Sequence, residues 1–209
     1  MTAVEDRPLR ADAARNVERI LRAAREVYGE LGADAPVEAV ARRAGVGERT
    51  LYRRFPTKAD LVRSALDQSI AEDLTPAIEE ARRVGDPLRG LAQLIEAAIS
   101  LGAREHHLLN AAHRAGSLTP DISNSLDEAL NDLVHRGQQA GVVRADLVAD
   151  DIPRLIAMLY SVLSTMDSTS EGWRRYVALI IDAISVSERQ PLPPAPAFRY
   201  ALQPNSWPL

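Results

Sequence analysis

Between positions 47 and 58 the chain reads GERTLYRRFPTK, which sets Arg49, Arg53, Arg54 and Lys58 beside the Thr50 hydroxyl and the Tyr52 phenol. These side chains share one kind of chemistry. A guanidinium presents a rigid fork of donors that matches guanine or phosphate. The Thr methyl can touch a thymine methyl, and Tyr and Lys suit phosphate oxygens. Wound at about 100° per residue, Arg54, Thr50, Arg53 and Arg49 fall on one outward arc, with Tyr52 at its edge. Leu51 and Phe55 lie one turn apart and face the other way with Val46. Such an arc suits the reading of base edges in a major groove, with Lys58 as a phosphate anchor at the start of the next helix.

The neighbouring residues predict what holds the arc. Val37, Val40, Ala41 and Ala44 form a short apolar stripe with Pro36 at its first helical position, and Gly45 ends it. A helix over 37–44, the Gly45-Val46-Gly47 turn and a helix over 48–54 closed by Pro56 have the size of a helix-turn-helix. Gly47 takes the N-cap of the second helix. Upstream, Val17, Ile20, Leu21, Ala24, Val27, Tyr28 and Leu31 mark a longer helix from about Ala13 to Leu31, stopped by Gly32. Downstream, Thr57 reads as an N-cap with Asp60 three residues on. The helix beginning at Lys58 meets Thr75-Pro76, which should kink or interrupt it. That dipeptide is either a hinge or a plain helix break.

Further helices are predicted over 88–101, after the GDP break at 85–87, around 105–115, and from Ile122 to near Gly141. Two more follow, one carrying Ile152, Leu155, Ile156, Leu159, Leu163 and Met166, the other Trp173, Tyr176, Val177, Ile180, Ile181 and Ile184. Met158 and Val162 give the first of these a second apolar side. A helix apolar on two sides needs two things to pack against, its own core and a second subunit, or else deep burial in one chain. No segment alternates as a strand would, so the predicted class is all-α.

Composition narrows the chemistry. Residues 1–63 hold 13 basic and 10 acidic side chains, a net of +3; the remaining 12 and 19 give −7, and the two sum to the chain's −4. Seven basic residues face two acidic ones between 42 and 63. A basic cluster in an acidic chain suits contact with a particular polyanion, not a general affinity for one. The chain has no Cys, which excludes disulfides, thiolate metal sites and a Cys nucleophile, and fits a reducing compartment. The N-terminus lacks the apolar core of a signal peptide, and no run of about 18 apolar residues occurs. These features predict a cytoplasmic protein. A glycine-rich phosphate loop, HExxH and GxSxG are all missing, so no enzyme is expected.

AVARRAGVGERTLYRRFPTKADL resembles the signature of tetracycline-repressor (TetR) family regulators, with its A-G-V turn, T-L-Y recognition helix, Phe and following Lys. The resemblance spans roughly residues 12–70, and VRADLVADDIPRLIAMLYSVL with WRRYVALIIDAI is similar to the family's last two helices. It implies an all-helical protein of about nine helices, acting as a homodimer on a pseudo-palindromic double-stranded DNA operator. It also implies a transcriptional regulator, a repressor released by a small-molecule effector. Activation through the same domain, or a helical protein-interaction module without specific DNA binding, are the alternatives. Three positions depart from the commonest pattern: Gly47 where Ser often caps, Arg49 for a frequent Gly, and Arg54 for a frequent His. Basic residues there strengthen phosphate contact or read a guanine.

The expected organisation is an N-terminal arm over 1–11, a DNA-binding domain over 12–57 with its helix-turn-helix at about 36–55, a ligand-binding and dimerisation domain over 58–187, and a Pro-rich tail over 188–209. The tail holds six of the 13 Pro residues and Phe198, Tyr200 and Trp207. The DNA-contacting set is Gly47, Arg49, Thr50, Tyr52, Arg53, Arg54 and Lys58. Candidate dimer contacts are Leu155, Leu159, Val162, Tyr176, Ile180 and Ile184. Leu94, Ile95, Leu108, Tyr160 and Trp173 are candidates to line an effector pocket, with ordinary core packing as the alternative. His106 and His107 are adjacent and share no helix face, while His113 lies about 10 Å further along, so no metal site is expected. No cofactor is expected beyond the unknown effector.

Overall fold

The structure is a computed structural model that describes residues 6–117, 120–163 and 171–186. Met166 and the Pro-rich tail fall outside them. The described chain is helical: α1 Asp6–Leu31, α2 Val37–Ala44, α3 Glu48–Arg54, α4 Lys58–Ser69, α5 Thr75–Arg83, α6 Pro87–Arg104, α7 His106–Arg114, α8 Pro120–Gln139, α9 Asp151–Leu163 and α10 Arg174–Ile184. A π-helical turn, Ile70–Leu74, joins α4 to α5 without a coil residue between them. With that run from Lys58 to Arg83 taken as one helix, the ten α-helical segments make nine, all-α as expected. Among the described residues the sole extended pairing is an isolated bridge between Val143 and Ser185.

Two boundaries differ from expectation. α1 begins at Asp6, inside the stretch assigned to an arm. Pro8 then falls in the first turn, where a missing N–H leaves no helix bond unmade. Pro36 is the N-cap of α2 and not its first helical residue. Its φ of −74° and ψ of 142° are extended, and its carbonyl accepts from Ala39 N–H at 3.1 Å.

Thr75-Pro76 neither ends the helix nor leaves a coil. Pro76 cannot donate to the carbonyl four residues back, and its ring would crowd that carbonyl. The backbone widens just before it: Thr75 N–H reaches back to Ile70 O, and Ser69, Leu74 and Thr75 all keep right-handed helical angles. The π turn therefore absorbs the proline. At 85–87 the break is as read, with Asp86 Oδ1 accepting from Leu88 N–H at 3.0 Å to start α6.

By packing, the described residues divide into two compact units, 6–68 with 105–117, and 69–104 with 120–163 and 171–186. The expected boundary after Thr57 is a division by role. Packing groups α4 and α7 with the N-terminal helices. In the first unit α1 packs on α2 and on α7, and α2 on α3. Ile20, Ala24, Val27, Tyr28, Val40, Leu51, Leu61, Val62 and Leu108 are buried there. Two long-range ion pairs fasten α7: Arg114 Nη1 lies 2.9 Å from Asp34 Oδ1 at the surface, and Arg25 Nε donates to Glu105 Oε1 at 2.8 Å, with the Glu105 side chain only 6% exposed.

The second unit is built around α6, which contacts α5, α8, α9 and α10. Glycines let partners come close. A Cβ at Gly90 would lie 2.7 Å from Leu133 Cδ2, and one at Gly102 would lie 1.9 Å from Tyr160 Cε1. Leu91, Leu94, Ile95, Ile99, Leu130, Leu133 and Ile152 fill the centre. No helix among the described residues is long and apolar enough to cross a membrane.

Candidate nucleic-acid interface

A tight turn aims α3. Gly45 has φ 65°, a left-handed conformation that a Cβ disfavours. It closes α2 with two backbone bonds, Gly45 N–H to Arg42 O at 3.2 Å and Val46 N–H to Ala41 O at 3.0 Å. Gly47 then returns to extended angles as N-cap, and its carbonyl accepts from Thr50 and Leu51 at 2.9 and 3.1 Å. Leu51 is fully buried and Phe55 is 5% exposed. Those two anchors fix which way the rest of the seven-residue helix faces.

The outward face is the arc read from the sequence. Arg49, Tyr52, Arg53 and Arg54 are exposed and Thr50 is half-buried. Among the described residues Arg49, Arg53 and Arg54 have no hydrogen-bond or ion-pair partner. Arg43, one helix earlier, contrasts with them: its guanidinium donates to Glu30 Oε1 at 2.9 Å and Glu26 Oε2 at 3.1 Å. Those bonds raise the Arg43 pKa, and the bond from Arg43 holds Glu30 below the usual carboxylate range. The Tyr52 hydroxyl donates to Glu38 Oε1 of α2 at 3.4 Å. Partial desolvation, then the Glu38 charge, pushes its pKa up, so the phenol stays protonated.

Lys58 is placed differently from the others. Its ammonium donates to Ala33 O at 3.3 Å and Ala35 O at 3.1 Å and sits 5.5 Å from the centre of the Tyr28 ring. Two of its three N–H donors thus tie the α1–α2 loop to the start of α4, leaving one for a phosphate. The capping box beside it forms as read, with Asp60 N–H donating to Thr57 Oγ1 at 3.1 Å and Thr57 N–H to Asp60 Oδ2 at 3.0 Å. Sequence reading missed the carbonyl pair under Lys58 and the Glu38 partner of Tyr52, since both depend on how α1, α2 and α4 meet. The weak local signal for the first was the Gly- and Pro-bounded stretch GADAP between two apolar stripes.

The other candidate sets are sorted by burial. Leu94, Ile95 and Trp173 are part of the α6-centred core and Tyr160 packs against it, while Leu108 is buried in the other packing unit. Tyr160 is held by structure: its hydroxyl donates to Ala98 O at 2.7 Å and its ring covers Gly102, and burial raises its pKa. An open groove of about 420 Å³ lies elsewhere, lined by Ala92, Glu96, Val177, Ala178, Ile181 and Asp182. On α9 and α10, Leu159 and Ile184 are buried in the chain's own core and have no surface left for a partner, because their helix faces turn toward α6. Leu155 and Ile180 are half-buried and Tyr176 is exposed. The apolar groups that stand out are Met158, 64% exposed, and Leu179, 54%. The Val162 side chain lies outside the described residues.

Comparison with known proteins adds to this geometry. Residues 20–65 match the family model for bacterial regulatory proteins of the tetR family. Residues 86–185 match the C-terminal domain of SbtR-like transcriptional regulators. No curated protein sequence matches the chain. A TetR transcriptional regulator of Streptomyces coelicolor is similar in structure, at TM-score 0.58 and 28% identity, covering 81% of this chain and 98% of its own. A TetR regulator of Mycobacterium vanbaalenii aligns at TM-score 0.61 and 29% identity, covering 86% and 100%. The regulator FadR of Bacillus subtilis, solved with stearoyl-CoA, shares the fold at TM-score 0.64 and 20% identity, covering 79% and 95%.

Proposed function

The chain belongs to the tetR family of bacterial regulatory proteins, and from that premise we propose that it represses transcription as a homodimer that a small-molecule effector releases from its operator. The observation that carries the reading is the α3 face, where three guanidinium groups without a partner among the described residues, Thr50 and Tyr52 are presented by buried Leu51 and Phe55. Two copies would set two such faces on half-sites one helical turn apart, roughly 34–36 Å. Met158, Tyr176 and Leu179, flanked by Leu155 and Ile180, are the surface that supports pairing of α9 and α10 with a second copy. The protein acts in the cytoplasm, where its operator lies.

An effector lowers DNA affinity only through its preference for a dimer with a different half-site separation. The Bacillus subtilis neighbour carries stearoyl-CoA, which makes acyl-CoA thioesters a sensible first class to screen. The test is binding of the full chain to DNA upstream of its own and neighbouring genes, at two salt concentrations with competitor DNA. Specific binding that Arg53→Ala with Tyr52→Ala abolishes, in a folded dimer, supports the regulator. Absence of binding by the folded, unliganded dimer at low salt refutes it.

A further inference from the structure

We propose that Glu48 and Arg49 make this chain a reader of G·C pairs, Arg49 donating to guanine O6 and N7 and Glu48 accepting from a cytosine amino group. The inference rests on α3 being the DNA-reading helix and adds which bases it selects. α3 is only ERTLYRR. It contains no Asn or Gln, the side chains that bond adenine bidentately, so its strong discriminating donors are guanidinium groups. Three Arg residues divide by position. Arg53 and Arg54 are in the last turn, whereas Arg49 is in the first. The N-terminal residues of a helix in the major groove contact base edges. Arg49 is therefore the base reader, and the later pair lies toward the backbone.

Its surroundings leave it free for that work. Arg49 is exposed and has no partner among the described residues, and nothing lies within 4 Å of a Cβ built on the neighbouring Gly47. Glu48 supplies the second observation. It too is exposed and without an ion-pair partner among the described residues, on a helix whose other charges are all positive. A carboxylate near DNA phosphates is repelled unless it meets a donor, and cytosine N4 is the major-groove donor that Glu accepts from. Adjacent residues on a helix are displaced by about 1.5 Å along its axis. They are also turned about 100° apart around it, so Glu48 and Arg49 address separate base pairs.

The test begins with selection of bound duplexes from a random pool by the full-length wild-type chain, followed by titration of the enriched sequence. The expected motif carries a G·C pair in each half-site. Replacing that guanine by 7-deazaguanine removes the N7 acceptor. It should weaken wild-type binding roughly tenfold to a hundredfold while leaving Arg49→Ala nearly unaffected. Arg49→Lys should not restore the preference, because an ammonium lacks the planar fork. Glu48→Gln should relax the cytosine requirement alone. A base contact also leaves the salt dependence in place, so Arg49→Ala should keep the slope of affinity against salt, which loss of a phosphate contact would reduce by about one. A defined motif that Arg49→Ala enriches unchanged, or a deaza effect equal in both proteins, overturns the assignment and leaves the regulator standing. A folded dimer that enriches no motif overturns both.

Discussion

Gly102→Ala tests how the α6-centred unit is packed. A Cβ at Gly102 would come within 1.9 Å of Tyr160 Cε1 and 2.4 Å of Cζ. Carbon atoms in contact lie at about 3.5–4.0 Å, so the ring has to move. Moving it breaks the bond from the Tyr160 hydroxyl to Ala98 O, now 2.7 Å, which is worth about 1 kcal/mol. Repacking around an extra methyl adds roughly 1–3 kcal/mol, and exchanging Gly for Ala inside a helix returns about 1 kcal/mol. The net loss is about 1–3 kcal/mol. For a chain of this size that is a fall in thermal midpoint on the order of 2–12 °C, read by helical circular dichroism. The same substitution made on Tyr160→Ala meets no ring, so the helix-propensity gain stands alone and the sign reverses, to a stabilisation of about 0.5–1 kcal/mol. Equal destabilisation in both backgrounds would refute the packing argument. It would also return Tyr160 to the list of residues that could face a ligand.

Four further outcomes follow from the N-terminal unit. Lys58→Met should lower stability by about 1–2 kcal/mol, because Ala33 O and Ala35 O lose a charged donor. Arg54→Ala should leave stability within about 0.5 kcal/mol yet reduce the salt slope of operator binding by about one; denaturant unfolding and binding titrations over salt check the pair. Gly45→Ala forces a Cβ into φ 65° and should cost about 1–2 kcal/mol, seen in the urea midpoint, with operator affinity recovered at lower temperature. Glu30 has its pKa lowered, mainly by the hydrogen bond from Arg43. Its contribution is therefore complete above the unfolded value of about 4.3 and lost as pH falls through the lower folded value. Arg43→Gln should flatten the acid limb of stability in that window, measured by thermal unfolding from pH 6 to 3.

Short-range signals carried most of the fold. α3 matches its expected bounds and α2 its expected end because a Gly with positive φ, an N-cap and a helix-ending Pro are local chemistry. Signals that depend on the company a residue keeps did not carry over. Pro76 reads as an interruption, but a turn of π-helix absorbs it, an outcome that no dipeptide rule encodes. Stripes on α9 and α10 could not say which side faces the core: Leu159 and Met158 are neighbours in sequence, yet one is 6% exposed and the other 64%. Glu105 reads as the first residue of a helix, with no sign of burial. Its carboxylate is buried because Arg25, 80 residues earlier, meets it.

The site was legible in kind and not in commitment. A count of basic residues cannot distinguish a guanidinium already engaged from one that is free, and Arg supplies all but one of the chain's basic side chains. In the second unit Arg104 is bound to Asp73, Arg136 to Asp132, Arg144 to Asp146 and Arg174 to Glu96. Those positive charges are answered within the fold, which is how an acidic half can be rich in Arg. Being unpaired is no distinction by itself, since Arg22, Arg42, Arg89 and Arg175 are also without an ion-pair partner among the described residues. What sets α3 apart is three such groups within seven residues, on a helix too short to have any other exposed face. Unanswered charge gathered there costs self-repulsion in the free protein. A polyanion removes that cost, and the phosphate backbone of DNA is one that a groove-sized helix can reach.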